Sequence, residues 1–113
     1  MIEVEILRDA EDRVLEIHCF SSELATESDD GKLVDVSVST LMKTAFIGLK
    51  GYLRLSPYFE DEDGRLILKL KRDHLLNREI DAILETVLLS LRAMQEQHPG
   101  IVEIKDAASK VNV

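Results

Sequence analysis

The stretch that most constrains this chain is Leu33–Leu55, LVDVSVSTLMKTAFIGLKGYLRL. Its apolar residues fall at Val34, Val38, Leu41, Met42, Ala45, Leu49, Tyr52 and Leu53. That three-and-four spacing gives a helix one continuous apolar face, which must be buried against a second layer. Asp29, Asp30 and Gly31 precede the stretch as start signals, and Ser56-Pro57 supplies a stop. Asp35 then falls in the expected first turn, where the unpaired N–H groups of a helix start favour negative charge.

The second layer reads as a sheet. Ile2, Val4 and Ile6 alternate with Glu3 and Glu5, the pattern of a strand with one wet face. A polar turn at Asp9–Asp12 leads to a second strand, Arg13 to Phe20, with Leu15, Ile17 and Cys19 on one face and Glu16 and His18 on the other. Leu66, Leu68 and Leu70 alternate with Arg65, Lys69 and Lys71 in a third strand. Asn77 is a suitable cap for a second helix from Arg78 to about Gln97, with an apolar stripe at Ile80, Ile83, Leu84, Val87, Leu88, Leu91 and Met94. Pro99-Gly100 breaks it, and Val102 and Ile104 suit a last short strand. The expected fold class is α+β: a small, mostly antiparallel sheet in the order β-β-α-β-α-β, with two long helices packed on one face. Residues 1–105 form one domain on this reading, with Glu3, Glu5, Lys69 and Lys71 on the polar face of the sheet, and 106–113 are a tail.

Two acidic stretches stand outside these elements. Ser21–Lys32 is polar, acidic and without usable periodicity, and links of that kind often carry function. The run Glu60-Asp61-Glu62-Asp63 ends in an Asp-Gly turn signal and reads as a solvated turn, since it lacks the ligand positions of a calcium loop.

Composition narrows the function classes. The chain has 113 residues and a net charge of −8, from 14 Lys+Arg against 22 Asp+Glu. That balance disfavours a nucleic-acid backbone or an anionic membrane as the main partner. One cysteine excludes an internal disulfide and fits a reducing, cytoplasmic setting. The N-terminus reads as neither a signal nor a transit peptide, and no apolar run approaches a membrane span.

From Ile2 to Lys105 the chain resembles the bacterial ribosomal-processing cysteine proteases, the Prp family. The resemblance is strongest over Leu33–Leu49 and Ile80–Lys105. Family members carry Gly-His-Ala in a loop, then Asp-Ile-Val-Cys-Ala-Ala-Val-Ser opening the long helix. Lys32-Leu33-Val34-Asp35-Val36-Ser37-Val38-Ser39 occupies the second motif here, and Thr44-Ala45, Gly48-Leu49 and Ala82–Lys105 continue the match. The resemblance implies a small α+β homodimer. In the family, a cysteine at a helix start, activated by a histidine, trims the N-terminal extension of a large-subunit ribosomal protein.

The chain departs from that pattern where the chemistry lies. The cysteine position matches Asp35 and, counting back without gaps, the histidine position matches Glu23. A carboxylate does not replace a thiolate in attack on an amide. His18 and Cys19 are adjacent on a strand and point to opposite faces, so they form no dyad. Cys19 reads as a buried core thiol, and His74 and His98 as polar residues at the ends of the second helix. Ser37 has no base at readable spacing, and Ser39 suits a local hydrogen bond. No cofactor is implied, and neither cysteine count nor histidine spacing supports a zinc site.

Two roles remain for the loop. Were it to fold over the helix start, Glu23, Glu27, Asp29, Asp30, Asp35 and Ser39 would form an acidic groove, and a basic ribosomal-protein N-terminal segment would relieve its charge repulsion. Otherwise it is a solvated acidic connection. The function read from the sequence is therefore a catalytically inactive binding or regulatory relative of the proteases. The alternatives are a hydrolase using other groups or a metal held by the loop, and a purely structural dimer.

Overall fold

The structure, a computed structural model of the chain, describes residues 1–22, 27–72 and 75–106. Its elements run β1 (Ile2–Arg8), β2 (Val14–Ser21), α1 (Asp29–Ile47), a π-helical turn (Gly48–Tyr52), β3 (Tyr58–Glu62), β4 (Arg65–Lys69), α2 (Asn77–Gln97) and β5 (Val102–Asp106). The strands form one sheet in the order β3-β4-β2-β1-β5. Three pairings are antiparallel and β1–β5 is parallel, so the sheet is mixed but mostly antiparallel.

Alternation decides which face is dry. Ile2, Val4 and Ile6 of β1, Ile17 and Cys19 of β2, Leu66 and Leu68 of β4 and Val102 of β5 are all buried. They join one core with Val34, Val38, Met42, Ala45 and Leu49 from the first helical segment and Ile80, Leu84, Val87, Leu88 and Leu91 from α2. Both helices therefore lie on one side of the sheet, as two singly apolar faces require. Glu3, Glu5, His18 and Lys69 take the other side, as does Ile67, which is 8% exposed between its ladder neighbours His18 and Glu60.

Four sequence expectations are corrected, each for a local physical reason. First, there is an additional strand. The stretch read as a solvated turn is β3, whose Phe59 stacks on Phe46 of α1 at 4.8 Å and whose Asp61 pairs with Lys43 at 3.3 Å. Its charge hid it, because an edge strand needs few apolar residues. Secondly, a bulge shifts the register between Leu7 and Arg8, so Val14 pairs with Arg8 and joins the core while Leu15 is half-buried.

Thirdly, the long helix starts and stops earlier than expected. Ser28 is its cap, accepting a hydrogen bond from the Gly31 N–H at 2.9 Å, with Asp29 and Asp30 in the first turn. Asp35 therefore lies in the second turn. At the other end the backbone widens into the π-helical turn, closed by Leu53 N–H to the Gly48 carbonyl at 3.1 Å. The extra residue in that turn breaks the helical phase, and Tyr52 swings out to 83% exposure. Fourthly, Asn77 is the first residue of α2 rather than its cap. Leu76 stands at the cap position without a side-chain bond, and Asn77 Oδ1 is buried without a partner among the described residues. Asp106 ends β5, and its carboxylate binds Arg8 at 3.0 Å and Arg92 at 3.1 Å.

The β3–β4 turn is a tight hairpin in which both central residues, Asp63 (φ 50°) and Gly64 (φ 77°), have positive φ. A Cβ at Gly64 would lie 2.9 Å from the Ser21 carbonyl oxygen, and the Gly64 carbonyl accepts the Ser21 N–H at 2.9 Å. Gly64 thus fixes the end of β2. Gly64→Ala is expected to lower stability by about 1–2 kcal/mol in urea unfolding. Gly51→Ala, where an added methyl meets nothing within 4 Å, is expected to leave it unchanged or raise it slightly.

Candidate functional site

The last residues of β2 and the second turn of α1 meet at one end of the sheet. Ser21 has the same strand parity as Ile17 and Cys19, so its side chain faces the helices. Its hydroxyl donates to the carboxylate of Asp35, which is half-buried. Below this pair lies Cys19, 2% exposed and facing Leu66 across the ladder. Burial, with the neighbouring Asp35 charge as a smaller cause, pushes the Cys19 thiol up to about 12.

A thiol in that state is protonated at neutral pH and is sealed from any substrate. His18 is no partner for it. Its Nε2 contacts the Glu16 carboxylate at 2.7 Å, and its ring lies 6.2 Å from Phe20, both on the opposite face of the sheet. His98 closes α2, its backbone N–H donating to the Met94 carbonyl at 2.9 Å. His74 lies outside the described residues.

The other candidate residues are placed as follows. Glu27, Asp29 and Asp30 are exposed around the start of α1. Asp29 and Asp30 precede Asp35 by six and five residues, about 8–9 Å along the axis and on other sides of the helix. Ser39 stands one turn beyond Asp35 and is half-buried, with its hydroxyl donating to the Val36 carbonyl at 3.0 Å. Ser37 donates likewise to the Leu33 carbonyl at 2.9 Å. Glu23 lies outside the described residues. Among the described residues no three of His, Cys, Asp and Glu stand close enough to hold a metal ion.

The sequence reading missed Ser21 as the partner of Asp35. Its strand parity with Cys19 was visible, but nothing local indicates that α1 crosses that strand end. The reading also missed a buried charge cluster at the far end of β1. There the Arg8 guanidinium, on the core-facing side, binds Asp106 of β5 and Glu85 of α2 at 3.0 and 2.8 Å. The hydrogen bond to Asp106, helped by Glu85, raises the Arg8 pKa against the cost of burial. This cluster joins β1, β5 and α2 and is structural.

No protein-family model matches the chain, and no curated protein does. Solved structures do. The essential ribosomal processing protease Prp from S. aureus, in complex with a substrate peptide, superposes with a TM-score of 0.80 at 20% identity, covering 94% of this chain and 99% of that one. The same protease with a covalently linked product peptide gives 0.76 at 21% identity and the same coverage. SMU.848 from Streptococcus mutans gives 0.71 at 19% identity, over 94% of this chain and 96% of the other. The fold is thus that of the ribosomal processing protease across nearly the whole of both chains, and no helix among the described residues is long and apolar enough to cross a membrane.

The state of Cys19 sets a pH dependence. The fold accommodates the neutral thiol, whose pKa is raised from about 9.0 to about 12. The stability it contributes is fully present below the unfolded value and is lost as pH rises through this interval. Unfolding free energy is expected to fall above pH 9.0 by at most about 1.4 kcal/mol per pH unit from this group, and Cys19→Ala should flatten that slope. Iodoacetamide at pH 8 should leave the native thiol unmodified and alkylate it in denaturant.

Proposed function

We propose that this chain is a catalytically silent relative of the ribosomal processing proteases: a homodimeric module that binds a basic peptide segment at the Asp35 end of its sheet. The observation that carries the reading is the state of the two groups on which cysteine chemistry would depend. On the sequence resemblance, Asp35 takes the position of the family's nucleophile; its carboxylate is engaged by the Ser21 hydroxyl, and the chain's one thiol is buried beneath it. Neither is a nucleophile toward an amide at neutral pH.

The scaffold itself argues for a retained peptide function, because the protease of the same fold was captured with a substrate peptide and with a linked product peptide. The acidic residues Glu27, Asp29, Asp30 and Asp35, with Glu23 preceding them in sequence, suit a Lys/Arg-rich segment such as the N-terminus of a ribosomal protein. Ser39 would supply a neutral hydrogen-bonding position one turn further on. Low charge on the outward helix faces favours pairing of two copies: Leu33 (60% exposed), Val36 (61%) and Ile47 (65%) on α1, and Leu89 (67%) on α2, lie among hydroxyl residues. The work of such a module is in the cytoplasm, at or near ribosome assembly.

Incubation with extended N-terminal peptides of large-subunit ribosomal proteins, with and without a divalent metal, is expected to give binding without cleavage. Asp35→Asn should weaken that binding by about three- to tenfold and steepen no metal dependence. Specific cleavage that survives Cys19→Ala but disappears in Asp35→Ala would overturn the silent reading in favour of a hydrolase.

The dimer is tested separately. Sedimentation equilibrium at micromolar concentration is expected to show two copies, and Ile47→Glu with Leu89→Glu should shift the protein to a monomer without loss of helical circular dichroism. A wild-type monomer would remove the dimer from the proposal and leave the peptide site standing.

A further inference from the structure

The chain is strongly acidic, yet three of its cations gather at one place, well away from Asp35. Lys69, Lys71 and Arg72 line an open groove of about 800 Å³ together with Leu15, Leu55 and Leu70. The groove lies where the bulged start of β2, the segment leaving the π-helical turn and the end of β4 come together. Glu16 and Tyr58 flank Lys69 in the ladders, while Ser21 is five residues further along β2, so the two sites are about 16 Å apart.

We propose that this groove binds a ligand with one carboxylate on an apolar chain. The independent observation that points to a ligand is Arg72. Its side chain is 2% exposed and lines the groove, yet among the described residues only Nη2 has a partner, the Asp81 carboxylate on α2. Nε and Nη1 are buried with none. A guanidinium bearing two unpaired donors away from water carries their desolvation cost, and an oxyanion is the partner that relieves it best. Burial, followed by the neighbouring Arg13 charge, lowers the Arg72 pKa against the more distant charges of Asp9 and Glu85, and an added anion would oppose the lowering.

The surroundings specify the rest. Three leucines provide the apolar wall that a hydrocarbon body requires, and the groove's size falls in the range of small-ligand sites. Lys69 sits over the Tyr58 ring, 5.6 Å from its centroid, which holds its ammonium at the rim. The carboxylate in the wall, Glu16, is occupied by His18 at 2.7 Å. Asp81 beside Arg72 and the overall charge of −8 disfavour a polyanion or a doubly charged phosphate. One negative charge fits; several do not.

Two sources share this chemistry, a fatty acid and the free C-terminus of an apolar peptide. Amide chemical shifts of the full chain, followed during titration with octanoate, octanol, acetyl-Leu-Leu and acetyl-Leu-Leu-amide, separate them. The expected result is saturable shifts at Leu70 and Arg72 with octanoate or with acetyl-Leu-Leu, and none with octanol or the amide. Tighter binding of octanoate identifies a fatty acid, and tighter binding of acetyl-Leu-Leu identifies a peptide terminus.

Lys69→Gln, at an exposed position that leaves the fold intact, should weaken binding at least about threefold. Arg72→Met, checked for folding by circular dichroism, should abolish it. No saturation by either acid up to about 10 mM, equal binding of octanol, or affinity unchanged in Lys69→Gln would overturn the proposal.

Discussion

The structure depends on the one-sidedness of its sheet. The five strands offer two faces, but the two helices among the described residues cover only one, and the strands bring most of their apolar residues to that side. β2 bears most of this constraint, since it lies between β4 and β1 and passes under the helical layer. Its covered face runs Ile17, Cys19, Ser21, changing from hydrocarbon to thiol to hydroxyl as it approaches the end of the layer. The gradient explains why the polar contact with α1 forms at Ser21 and nowhere deeper. The bulge by Val14 serves the same constraint at the other end, where it turns Val14 inward and leaves Leu15 on the margin.

Asp35 is defined by what surrounds it. Ser21 holds its carboxylate, and Ser21 is in turn held by the backbone of Gly64, which only a residue free to adopt positive φ can place there. A turn between the edge strand β3 and its neighbour β4 therefore sets the position of a side chain at the centre of the candidate site. The route is entirely backbone and short side chain, so it has little freedom to rearrange. By contrast, the carboxylates at the start of α1 are exposed to water, which screens their mutual repulsion.

Much of this was legible in the sequence, and what was not has identifiable causes. The helices were readable because Val34, Val38, Met42, Ala45 and Leu49, and the stripe from Ile80 to Leu91, repeat at helical spacing for several turns. β1, β2 and β4 were readable from simple alternation. β3 was not, because Tyr58–Glu62 buries one ring and otherwise shows charge to solvent, so it has no alternation to detect. Helical periodicity puts Tyr52 on the apolar face because it assumes a constant rise and twist, and the widened turn at Gly48–Tyr52 violates that. Within the site, the burial of Cys19 and its separation from His18 followed from strand parity. The contacts of Ser21 with Asp35 and of Arg8 with Glu85 and Asp106 join residues 14, 77 and 98 positions apart, and no local pattern encodes them.

The acidity of β3 has a consequence for assembly. The strand forms one border of the sheet and shows Glu60, Asp61 and Glu62 in succession, while the opposite border, β5, alternates Glu103 and Lys105 around Ile104. An incoming strand at the first border would have to lay its backbone alongside three consecutive carboxylates, and at the second it would meet charges of both signs in fixed register. Growth of the sheet by strand addition, the route to fibres and runaway polymers, is disfavoured by charge at both margins.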